Sequence, residues 1–179
     1  FRKHVFGLTK AEVKALAVTG VELVCQAAER YLDDDTHFGL EYSPEMFNDT
    51  EPEFALEVCN AVIAAWQPQK RGELIINLPA TVERCSPNVF ADQVQWLNDN
   101  LDQRENVCLS LHPHNDRGSA VAAAELGMRA GAQRIEGCLF GQGERTGNVD
   151  LVTLALNLYS QGIDPCLKLS DIDRVRHEC

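Results

Sequence analysis

The chain has 179 residues, 45% apolar and 24% charged, an ordinary composition for one globular domain with a real core. A formal net charge of -11 excludes the basic footprint that nucleic acid or an anionic membrane surface requires, and no apolar run approaches the roughly 18–20 residues of a transmembrane helix. Small anionic substrates stay open, because a bound cation reverses the local field.

The start, Phe1-Arg2-Lys3-His4, has no signal-peptide pattern and no initiating Met, so a piece of a longer chain is expected. Thr9-Lys10-Ala11-Glu12 is a capping box, opening a helix to about Tyr31. Thr36 to Tyr42 reads as a short strand. Thr50-Glu51-Pro52-Glu53 reads as a second capping box, opening a helix to about Trp66. Leu74 to Leu78 is a strand, and Pro87 to Leu101 a helix with Phe90, Val94 and Leu97 on one face. Val107 to Leu111 is a strand, followed by an Ala-rich helix from Gly118 to Ala130 that Gly131 ends. Arg134 to Phe140 is a strand, Val149 to Tyr159 a helix, and Ser170 the cap of a last short helix.

One helix and then four βα units place the chain in the α/β class with parallel strands and right-handed crossovers, as a partial (β/α)8 TIM barrel. A complete barrel takes eight strands and about 250 residues, so four units make half of one. An isolated half would leave two strand edges and an apolar sheet face uncovered. A missing N-terminal half, or association that replaces it, is therefore expected.

The chemistry-bearing residues gather at the C-terminal ends of the four strands, where such folds place their sites. They are Glu41-Tyr42-Ser43-Pro44-Glu45, Asn77 to Glu83, His112-Pro113-His114-Asn115-Asp116, and Gly141 to Asn148. His112 and His114 alternate along a strand, so both imidazoles point the same way and suit a divalent metal; two loop histidines with other partners are the alternative. Asn148 either reaches that metal or caps the helix after it. Asn115 and Asp116 face the same choice and read as caps. Glu144 and Arg145 either serve a ligand or pair with each other. Glu41 and Glu45 are acid/base candidates or solvated loop carboxylates. Thr81 either donates to a carboxylate or bonds its own backbone, and Arg117 binds an anion or closes a surface ion pair. His4, His37 and His177 read as structural. Seven cysteines without a CxxC pair read as reduced, mostly buried thiols, with Cys138 in the core.

Two stretches carry a resemblance. His112-Pro113-His114-Asn115-Asp116-Arg117-Gly118 and Glu136-Gly137-Cys138-Leu139-Phe140-Gly141-x-Gly143-Glu144-Arg145-Thr146-Gly147-Asn148-Val149 closely resemble the 2-isopropylmalate synthase family, and the Glu41–Glu45 and Asn77–Glu83 stretches look like it too. The resemblance implies that residues 1–179 belong to one catalytic TIM-barrel domain, as the C-terminal half of the barrel. It implies condensation of acetyl-CoA with 3-methyl-2-oxobutanoate, with a cation (Mg2+, Mn2+ or Zn2+) acting as Lewis acid on the keto acid. His112 and His114 would be metal ligands, Asn148 would lie at the metal, Glu45 and Thr81 would face the keto acid, and Glu144 and Arg145 would bind substrate. Glu45 is a candidate base. An Arg and a metal-binding Asp are expected upstream, and a linker and regulatory domain downstream. A cytoplasmic homodimer is implied, or a mitochondrial one in a eukaryote. A homocitrate- or citramalate-type synthase and a non-catalytic half-barrel are the alternatives.

Overall fold

The computed structural model describes residues 2–33 and 35–178. After a turn of π-helix at Arg2–Phe6, helix α1 (Lys10–Tyr31) starts on the capping box: Glu12 N donates to Thr9 Oγ1 at 3.3 Å, and Thr9 N donates to Glu12 Oε2 at 2.7 Å. Strand β1 is only Leu40–Tyr42, shorter than the sequence implies, because Leu40 already pairs with Leu74, where the neighbouring strand begins. Helix α2 (Pro52–Trp66) is capped at Glu51, not Thr50; the Thr50 hydroxyl instead donates to Met46 O at 2.7 Å. A single turn, α3 (Pro68–Arg71), leads into β2 (Leu74–Ala80), α4 (Pro87–Asn100) and β3 (Cys108–Pro113). Helix α5 (Ala120–Arg129) precedes β4, which covers just Arg134–Ile135. The expected strand to Phe140 stops there, and a 3-10 turn at Leu139–Gly141 takes over with Phe140 at φ 54°. Helix α6 (Leu151–Ser160) and a terminal α7 (Ile172–Glu178) complete the chain, the latter begun by Asp171, whose Oδ1 accepts from Arg174 N at 3.0 Å, and not by Ser170.

The four strands are all parallel, in the order β1-β2-β3-β4, so each helix crosses back over the sheet as in half of an α/β barrel. One face is apolar. Leu74, Ile76 and Leu78 of β2 and Leu109 and Leu111 of β3 are almost wholly buried beneath Val62, Ile63 and Trp66 of α2 and Phe90, Val94 and Leu97 of α4. Each such side chain contributes about 1.5–3 kcal/mol by leaving water. Ala123 lets α5 lie close against the same layer, and Ala120 and Ala124 pack with Val149 and Leu154 in a second, smaller cluster.

The opposite face is not the apolar surface the half-barrel reading expects. The register Asn77–Ser110–Arg134 puts a row of polar side chains across it, and strand alternation adds Glu41, His112 and Glu136. The cysteines are also less uniform than expected: Cys25 and Cys59 are buried, Cys85, Cys108 and Cys138 half-buried, and Cys166 exposed, while Cys179 lies outside the described residues. Cys138 is beside the polar face and not in the core.

Candidate functional site

Alternation along β3 brings His112 and His114 onto the polar face, where their rings stack with centroids 5.3 Å apart and 30° between planes. His114 forms an antiparallel bridge with Asn148, flanked by Val149 N to Pro113 O at 2.9 Å and Asn115 N to Gly147 O at 3.0 Å. The loop after β4 is thus sewn to the tip of β3. Asn148 does not cap α6; Asp150 does, accepting from Val152 N at 2.9 Å. The Asn148 amide is left to face the histidines, with Nδ2 2.9 Å from His112 Nε2. A Cβ on Gly143 would collide with Asn148 Oδ1. Gly147, at φ 97°, could carry none without striking Gly141 O, so the glycines let this loop wrap the amide closely.

Beneath the histidines lies a charged cluster that spacing along the chain does not announce. Glu136 accepts from Arg134 Nη1 at 2.6 Å and Asn77 Nδ2 at 3.0 Å, and its Oε2 is 2.8 Å from His112 Nδ1. Arg134 also reaches Ser110 Oγ and Glu41 Oε2, each at 3.1 Å. Burial works to raise the Glu136 carboxyl, but hydrogen bonds, chiefly from His112, hold it below the usual range; burial and then Glu136 itself push Glu41 up. Burial likewise lowers His114, with His112 and Arg145 adding to the effect, so its neutral, ligating form is favoured.

A second string of contacts runs in front. Thr81 Oγ1 donates to Glu45 Oε2 at 2.8 Å and accepts from Met46 N at 2.8 Å, so the hydroxyl serves a carboxylate and not its own backbone. Arg145 donates to Asp116 Oδ1 at 2.9 Å and Oδ2 at 3.1 Å, and to Thr81 O at 2.8 Å. These bonds, Arg145 first, hold Asp116 down to about 2. Asp116 accepts from Glu83 N as well, and is not a helix cap; Asn115 does cap, its Oδ1 taking Ala120 N at 3.1 Å. Glu83, buried at 5% exposure, receives Arg117 N and the Ser119 hydroxyl. Glu144 stays at the rim, largely exposed and 3.5 Å from Arg145 Nη1.

The fold therefore joins His112, His114 and Asn148 in one place, and Glu45, Thr81 and Arg145 in another, with Glu144 outside both. Two imidazoles and a carboxamide could hold a divalent cation, and His114 Nδ1 is buried with no hydrogen-bond partner. Among the described residues, no group of three or more His, Cys, Asp and Glu side chains is placed to hold a metal ion. No described helix is long and apolar enough to cross a membrane. Sequence reasoning missed Glu136 and Arg134. No local signal marks them, since they join the histidines through the register that pairs Arg134 with Ser110, two residues before His112.

Over 98% of its length the chain is 63% identical to a protein of Thermobifida fusca named 2-isopropylmalate synthase, and over its whole length 56% identical to one of the same name from Schizosaccharomyces pombe. It spans 31% of the length of each of these curated relatives. In three dimensions it is similar to the HMG-CoA lyase of Brucella melitensis, with a TM-score of 0.68 at 17% identity, covering 98% of this chain and 59% of that one. That likeness concerns the fold, an α/β partial barrel here. The family model described as HMGL-like matches residues 1–178, and the chain belongs to the HMGL-like family.

Proposed function

We propose that this chain is part of the catalytic barrel of a 2-isopropylmalate synthase, which joins acetyl-CoA, 3-methyl-2-oxobutanoate and water to give 2-isopropylmalate and CoA. One observation carries the reading. Three residues from two separate stretches of the family-like motif, His112, His114 and Asn148, meet within contact distance at one strand end. The relatives' names supply the product, 2-isopropylmalate, and the motif resemblance implies the substrates. The position of the four units as the later half of the barrel rests on the motif resemblance alone.

The donor set fits a divalent cation, since burial favours the neutral form of His114 and its buried Nδ1 lacks a partner. His112 and His114 would hold it, joined by the Asn148 carboxamide. Oxygen donors completing the shell suit Mg2+ or Mn2+, and the His pair also permits Zn2+. When bound it supplies Lewis-acid polarisation of the keto-acid carbonyl. Glu45 would accept a proton from the acetyl methyl, and the hydrogen bond that Thr81 donates to this carboxylate supports that role. Arg145, braced by Asp116, would contact the substrate carboxylate, and Glu144 at the rim would accept hydrogen bonds from CoA. A cytoplasmic homodimer is part of the same reading.

The test is an assay of the intact protein with acetyl-CoA and a panel of 2-keto acids, following thiol release. Preference for 3-methyl-2-oxobutanoate supports the proposal. Preference for 2-oxoglutarate or pyruvate would favour a homocitrate- or citramalate-type synthase, and no release with any of them a non-catalytic half-barrel.

A further inference from the structure

The stacked histidines are not equivalent. His114 Nδ1 has no partner, whereas both ring nitrogens of His112 are engaged. We propose that Glu136 is a positioning residue that fixes His112 as its Nδ1–H tautomer and so aims the Nε2 lone pair at the cation. The consequence for metal rests on the function proposed above; the tautomer does not.

Two contacts from opposite sides of the ring support this. Glu136 Oε2 is 2.8 Å from His112 Nδ1, and the carboxylate is tied to two obligate donors, Arg134 Nη1 at 2.6 Å and Asn77 Nδ2 at 3.0 Å. With Arg134 donating to Oε1 and Asn77 to Oε2, the carboxylate is used as an acceptor, and the short contact is then attractive when His112 Nδ1 carries the proton. On the far side, Asn148 Nδ2 lies 2.9 Å from His112 Nε2, and an amide N–H donates there only to a bare nitrogen. Both contacts select one tautomer, the one whose Nε2 lone pair faces the Asn148 amide and would reach a cation once that amide turns its Nδ2 aside.

The carboxylate is itself immobilised. Asn77 is 2% exposed, and Arg134 is anchored at its other contacts by Ser110 and Glu41. Glu136 thus stands on a support spanning β2, β3 and β4. An anionic acceptor behind a ligating imidazole also raises its basicity, and losing such a partner typically weakens metal binding about 10–100-fold.

The experiment uses the intact protein, 15N-labelled at histidine, in wild-type, E136A and E136Q forms. Long-range proton–nitrogen spectra without metal read the His112 tautomer, assigned by H112N, and Mn2+ titration reads affinity. The wild type is expected to show His112 protonated at Nδ1. Both variants are expected to lose that bias and bind Mn2+ about 10–100-fold more weakly. The near-isosteric Gln, whose single oxygen must serve both Arg134 and His112, keeps the test decisive if Ala perturbs folding. Variants that retain the wild-type tautomer overturn the inference. A wild type that takes up no Mn2+ overturns the metal reading, while the tautomer spectra still decide the role of Glu136.

Discussion

Arg134 Nη1 lies 3.1 Å from Glu41 Oε2, so a side chain of β4 touches one of β1 although two strands stand between them. The sheet is curved enough for its edges to meet across the polar face, and the guanidinium sits between two carboxylates there. Arg134→Met should therefore cost stability and local order together. Arg134 is more than a third exposed, so solvent screening limits the loss to about 1 kcal/mol. Denaturant midpoints should fall accordingly, and adding Glu41→Gln should recover part of the loss. Additive losses in that double variant would mean the two residues are not coupled.

Gly143→Ala should displace the Asn148 side chain, because the new methyl occupies the space of its oxygen. The expected outcome is a protein of near wild-type melting temperature with Mn2+ affinity reduced at least tenfold. Unchanged affinity would remove Asn148 from the proposed shell.

Thr81→Val keeps the shape but strips Glu45 of its donor and Met46 N of its acceptor. Stability should drop by about 1 kcal/mol. In the intact protein kcat should fall more than KM changes, with Thr81→Ser restoring most of it. Steady-state kinetics with the preferred keto acid checks this.

The capping box of α1 should be acid-sensitive. Bonds from the Thr9 backbone and then its hydroxyl lower the Glu12 carboxyl relative to the unfolded chain. A lowered carboxyl contributes stability that is complete above its unfolded value and lost as pH falls through its folded one. Amide-exchange protection in the first turn of α1 should fall as the medium is taken below the ordinary carboxylate range. Glu12→Gln should flatten that dependence.

The thiols should separate sharply. Burial pushes Cys59 up to about 12, so it stays a neutral thiol at pH 8. Cys166, on the surface, should alkylate within minutes while Cys59 and Cys25 resist until the protein unfolds. Because the Cys59 value is raised, its contribution to stability is lost only as pH climbs past the unfolded thiol range towards 12. Peptide mapping after iodoacetamide treatment measures both.

Much of this architecture is legible in the sequence. The Thr9–Glu12 box, the 3.6-residue spacing of Phe90, Val94 and Leu97, and the apolar strands at Leu74 and Leu109 each follow from local rules, and all reappear. What misleads is any feature whose partner lies far off in sequence. Strands β1 and β4 look longer than they are because apolar residues can be counted but the end of a neighbour's pairing cannot. Asn148 looks like a helix cap because Asp150, two residues on, competes for the same backbone donors. At the site, the alternation of His112 and His114 is readable, but Glu136 and Arg134 become visible only once the register of β3 against β4 is known.

The bridge between His114 and Asn148 has a further consequence. Because Val149 N and Asn115 N tie the two segments together by main-chain bonds on either side, the spacing of the two backbones is fixed, and only side-chain torsions are left to adjust the gap between imidazole and carboxamide. Such a pair has few adjustments with which to suit the radius of whatever ion arrives. Discrimination among cations would then be set by the span of two tethered strands of backbone, and any change that lengthens the Gly141–Gly147 loop should broaden the range of ionic sizes accepted before it weakens the grip on any one of them.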